Sequence, residues 1–162
     1  MKALRLFLCA LVGALALTGV ALANGSDDDD DDSGCRPVKA IGVGQNLGGS
    51  NTTVTTTATI TRGGILNGTT VARFDITGGT PPELTFSGTV TFTTKQGTLT
   101  VAISGTFNVV TGAFSAAGPI TAGAGRFAGA TGTLSFEGVE STGAFTETIR
   151  GTICLARDGD DD

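Results

Sequence analysis

Apolar and polar residues alternate with a period of two over long stretches of this chain. Leu84, Phe86, Val90 and Phe92 share one parity, and Thr85, Ser87, Thr89 and Thr91 take the other. Leu99, Val101 and Ile103 alternate with Thr98, Thr100, Ala102 and Ser104. Leu134 and Phe136 alternate with Thr133, Ser135 and Glu137. This is the pattern of strands with one buried and one wet face. No sustained helical period occurs beyond the first two dozen residues. The pattern predicts strands near 37–43, 52–61, 69–77, 83–94, 97–108, 113–120, 131–139 and 144–155. Turn signals at Gly48-Gly49, Gly63-Gly64, Gly78-Gly79, Lys95-Gln96-Gly97, Thr111-Gly112 and Thr142-Gly143 separate most of them. Links this short make antiparallel neighbours, and about eight such strands build a closed barrel or a sandwich.

Gly-Thr pairs recur at glycines 68, 79, 88, 97, 105, 132 and 151. Their spacing is irregular, so they are not a solenoid repeat. A glycine inside a strand marks a bulge, a bend or a close backbone approach.

The ends of the chain read differently. Lys2 and Arg5 precede an apolar stretch from Leu6 to Leu22 that ends in Ala21-Leu22-Ala23. A basic start, an apolar core and a small-x-small end predict a signal peptide over 1–23. The protein is therefore expected to be secreted or periplasmic, with no membrane association once the leader is cleaved. Two cysteines then remain, Cys35 and Cys154, and in an oxidising compartment they are expected to form one disulfide. Asp27 to Asp32 is an unbroken acidic run within a segment, 24–34, expected to be disordered. An acidic tail occupies 158–162, leaving 35–157 as the folded domain. Asp27, Asp28, Asp29, Asp160, Asp161 and Asp162 are the places where a cation would gather. The run lacks the glycine and terminal glutamate of an EF-hand loop, so it reads as a solvated arm.

Between Ser33 and Arg157 the balance reverses, with eight basic residues against five acidic ones. The basic residues are scattered, without a cluster or an aromatic platform, which argues against nucleic acid as a partner. The chain contains no His, Trp or Tyr. A serine or cysteine nucleophile activated by histidine is thereby excluded, as is an imidazole-held metal. Acid–base chemistry falls to Asp, Glu or Lys.

Gly123-Ala124-Gly125-Arg126-Phe127-Ala128-Gly129 is not a dinucleotide fingerprint, because its third glycine is one residue late and no helix follows. Gly123 to Gly132, GAGRFAGATG, instead resembles the G-T-G-x-F-x-G-A-T-G signature of the allene oxide cyclase-like superfamily, which includes plant dirigent proteins and small secreted bacterial proteins. The likeness continues through TLSFEG, Gly143, Phe145 and Gly151-Thr152-Ile153; Ala124 stands where the signature has Thr. It covers about 80–155. The resemblance implies an all-β fold, a single antiparallel eight-stranded barrel, often oligomeric, with a cavity and no cofactor. It implies a structural role for Arg126 and Phe127, in a turn leading into a strand. No local match carries over the family's active-site residues.

Two functions are therefore expected. The first is a non-catalytic binding or structural module whose cavity holds a small apolar molecule. The alternative is a cofactor-free isomerase or cyclase, or a dirigent-like guide for a reactive intermediate. Two or more inward ionisable groups in an open cavity would favour chemistry. The candidate is Glu147, which shares the parity of Phe145, Ile149 and Ile153 and so points inward. A buried carboxylate needs a partner or a proton. Arg73, two residues before Asp75 in another predicted strand, is its expected partner.

Overall fold

A computed structural model of the chain describes residues 34–50 and 52–156. The predicted leader, the acidic run with Asp27, Asp28 and Asp29, and the tail with Asp160, Asp161 and Asp162 lie outside the described residues. Eight strands follow in order: β1 (Cys35–Gly49), β2 (Thr53–Thr61), β3 (Gly68–Thr80), β4 (Glu83–Thr94), β5 (Gly97–Asn108), β6 (Ala113–Gly125), β7 (Thr131–Ser141) and β8 (Ala144–Cys154). Each pairs antiparallel with the next, and β8 returns to pair with β1, closing a barrel. The closing ladder runs from Cys35 opposite Cys154 to Gln45 opposite Ala144, so no strand is left as an edge. The Cys35–Cys154 disulfide is formed at the start of this ladder, with an S–S distance of 2.03 Å.

The expected strands are all present, and three run well beyond their alternation; β3 reaches Thr80 past a bulge at Thr77. β1 continues through Gly44, Gly48 and Gly49, where absent side chains leave no alternation to read. β6 continues to Gly125 past a bulge: Thr100 faces Ala122 and Val101 faces Ile120, so Thr121 is the extra residue that breaks parity. All seven Gly-Thr glycines mark close approaches. A Cβ placed on any of them would sit 2.0–2.4 Å from a carbonyl oxygen of the neighbouring strand. A small, strongly coiled barrel brings adjacent backbones that close, and only glycine fits there.

The two ends differ. At the disulfide end, Ile60, Phe92, Leu99, Leu134, Ile149 and Ile153 are fully or almost fully buried. A short 3-10 turn, Gly64–Leu66, supplies Leu66 to the core at this end, and the β6–β7 loop supplies Phe127; both side chains are fully buried. The Gly123–Gly132 segment thus forms the end of β6, a tight turn and the start of β7, with Phe127 as a plug and Arg126 exposed. The interior is not filled at the opposite end, where the β1–β2, β3–β4, β5–β6 and β7–β8 turns lie.

Candidate functional site

Inward residues of the unfilled half surround a cavity of about 290 Å³. Its wall contains six phenylalanines: Phe74, Phe86, Phe107, Phe114, Phe136 and Phe145. They arrive by parity alone, each on the inner face of its strand. Phe74 and Phe86 meet at 4.9 Å between ring centroids, and Phe114 and Phe145 meet edge to face at 6.0 Å. Val54, Ile76, Leu84, Val90 and Ile103, with the small Ala72 and Ala116, complete the apolar surface.

Five polar side chains interrupt it: Asn46, Thr56, Thr70, Glu140 and Glu147. Glu147 is the inward carboxylate that alternation along β8 predicts. Its interstrand neighbours are Gly42 on β1 and Gly138 on β7. Both glycines leave room. A Cβ on Gly42 would lie 2.6 Å from Glu147 Oε1, and one on Gly138 would lie 2.5 Å from Phe114 Cζ. The carboxyl therefore rests over one glycine, and the Phe114 ring fills the space above the other. Among the described residues, no hydrogen bond or ion pair reaches the Glu147 carboxyl. Burial among these rings disfavours the charged form and pushes its pKa from 4.5 up to about 7.

Arg73 is not the partner of Glu147. On β3 the inward parity belongs to Thr70, Ala72, Phe74 and Ile76, so Arg73 and Asp75 stand outside, exposed. Asp75 there accepts a hydrogen bond from the Thr53 hydroxyl. The other described basic residues, Arg36, Lys39, Arg62, Lys95, Arg126 and Arg150, are exposed too. Arg150 lies 3.4 Å from Glu137 on the outer surface, an exposed pair that contributes little.

Glu140 shares the parity of Leu134, Phe136 and Gly138, which is the sequence signal that places it inward. Its Oε1 accepts the Gly143 N–H at 2.7 Å, fastening the β7–β8 turn at the cavity mouth. It is a diagonal neighbour of Glu147, since Glu140 faces Phe145 and Gly138 faces Glu147. Asn46 Oδ1 likewise accepts the Gly48 N–H at 2.7 Å, across the bulge near the end of β1. Two carboxylates without a third ligand do not make a metal centre. Among the described residues, no group of three or more His, Cys, Asp or Glu side chains gathers anywhere. What the arrangement offers is a largely apolar chamber with two carboxyl groups in its wall, Glu140 bonded to a turn and Glu147 without a bonded partner among the described residues. Comparison with models of known protein families gives no match, and comparison with curated proteins gives none either.

Proposed function

We propose that this barrel is a non-catalytic binding module of an oxidising, extracytoplasmic compartment, which holds a small apolar molecule in its cavity. The carrying observation is the unfilled half of the barrel: about 290 Å³ enclosed by six phenylalanines and aliphatic side chains. A filled core stabilises a barrel better than a void does, because each missing contact is lost packing. A cavity that persists in a chain this small is therefore explained by an occupant. At about 30 Å³ per water-sized group, it takes a ligand of roughly ten non-hydrogen atoms. The disulfide and the apolar leader sequence support the compartment. The GAGRFAGATG segment supports kinship with the allene oxide cyclase-like barrels.

Two inward carboxylates also give the cyclase or isomerase reading one specific observation, a group whose pKa of about 7 suits proton transfer. Binding is preferred because Glu140 is committed to the turn, and one carboxyl alone does not form a convergent acid–base set. The test is titration with 1-aminonaphthalene, a fluorophore neutral at about pH 7 and of about the size the cavity takes. Wild type should show a saturable rise in emission with one site per barrel. Ala116→Phe, which fills the chamber from β6, should weaken binding at least about tenfold while circular dichroism stays that of the barrel. No rise in wild type, or equal binding by a folded Ala116→Phe protein, would place the probe elsewhere and defeat the proposal.

A further inference from the structure

We infer that the ligand of this cavity carries a protonated amino group on an apolar body, and that Glu147 is its counter-ion. The inference rests on the binding reading above and deepens it. Its first support is the sorting of charge. Of the five acidic residues between Ser33 and Arg157, Glu140 and Glu147 line the cavity. All seven described basic residues are exposed, and none lines the cavity. An anionic ligand would meet two carboxylates and no cation. A purely hydrocarbon ligand would leave Glu147 desolvated with nothing to bond. A cation satisfies the carboxylate with a charge-assisted hydrogen bond. The second support is the aromatic wall. Six ring faces and edges around one anionic group form an environment in which a cation is favoured beyond its ion pair. The third is the pair of glycines beside Glu147. Gly42 seats its carboxyl against β1 rather than letting a side chain cover it, and Gly138 seats Phe114 next to it.

The binding should be linked to protons. Glu147 faces Gly42 on β1 and Gly138 on β7, with Glu140 as the one other titratable group in the cavity wall. The lining contributed by β2 to β6 is apolar or threonine. Burial holds Glu147 neutral below about 7, so the attraction for a cation is weak in acid and grows as the pH rises through that value. It ends where the amine itself loses its proton, near 10 for an aliphatic amine.

Phenylbutylamine and phenylbutanol test this, because they share a skeleton and differ in the charge of the head. Isothermal titration at about pH 8 should find the amine at least about tenfold tighter than the alcohol in wild type. In Glu147→Gln that ratio should fall to about one. In wild type the ratio should also shrink toward one as the pH is lowered to about 5. A ratio near one in wild type at about pH 8 overturns the cationic ligand while leaving the cavity reading intact. A ratio that persists in a folded Glu147→Gln protein, or that stays flat with pH, overturns Glu147 as the counter-ion. If the Gln variant does not fold, the wild-type pH series alone decides. If neither compound nor 1-aminonaphthalene binds wild type, the cavity reading fails and takes this inference with it.

Discussion

Glu147→Gln will stabilise the barrel in mildly alkaline buffer and leave it nearly unchanged in acid. The unfolded chain releases the Glu147 proton around 4.5, whereas the folded chain keeps it to about 7. Below about 4.5 both states are protonated, and the folded state suffers no penalty. As the pH rises from 4.5 to 7 the folded state binds more protons than the unfolded one, so stability declines. Above about 7 the folded state carries a charge that it solvates less well than the unfolded chain does. The full difference is about 3 kcal/mol, and water entering the open cavity reduces it. Glutamine has the same shape and no charge to desolvate. In the empty barrel at about pH 8 its melting temperature should exceed that of wild type by on the order of 10 °C, and at about pH 4 the two should nearly coincide. Equal melting temperatures at both values would mean that the carboxyl is well solvated. A phenylbutylamine-saturated wild type should recover most of the gap, since the cation removes the penalty.

The second large effect is expected from the disulfide. Cys35 and Cys154 are 119 residues apart and face each other at the start of the ladder that closes the barrel. Cross-linking a loop of that length restricts the unfolded chain, and the chain-entropy model assigns it about 4–5 kcal/mol. A domain of this size is stable by about 5–15 kcal/mol, so the Cys35→Ser, Cys154→Ser double variant should lose a large fraction of its stability in urea titration. The ladder continues for ten further residue pairs beyond the cysteines, down to Gln45 opposite Ala144. The variant should therefore still close at low temperature and fail first on heating. Peptide mapping of the purified protein without reductant should recover the Cys35–Cys154 cross-link. An unchanged urea midpoint would show that the β1–β8 ladder holds the ends unaided.

Parity carried most of this structure into the sequence. β4, β5, β7 and β8 alternate cleanly, and their inner faces are the ones the alternation names. Glu147 was legible for that reason, with Phe145 and Ile149 flanking it on the same face. Glu140 is legible by the same rule from Leu134 and Phe136, though it stands at the strand end where alternation fades. Arg73 fails as a partner under that very rule. It shares parity with Val71 and Asp75, and Val71 is 52 % exposed, an apolar residue on the wet face that blurs which side is inner. Ala72, Phe74 and Ile76 are the true inner row. The first half was harder because glycine replaces the inner residues of β1 at 42 and 44. The bulges at Leu47 and Thr121 shift parity by one residue, and no side-chain pattern announces them. The cavity was expected only from the family resemblance and was not legible in the strand pattern. A strand pattern states which residues face inward, not whether they meet, and the division between a plugged half and an open half depends on where Leu66 and Phe127 fold in from the loops.

The most direct test of the central claim, that an apolar cavity shields the Glu147 carboxyl from much of its water, is an NMR titration of the Glu147 carboxyl carbon. It should be recorded in the empty barrel and again with phenylbutylamine bound. The account predicts a midpoint at about 7 in the empty protein and a clear downward displacement when the amine occupies the cavity. A midpoint near the ordinary 4.5 that does not move with the amine would contradict it.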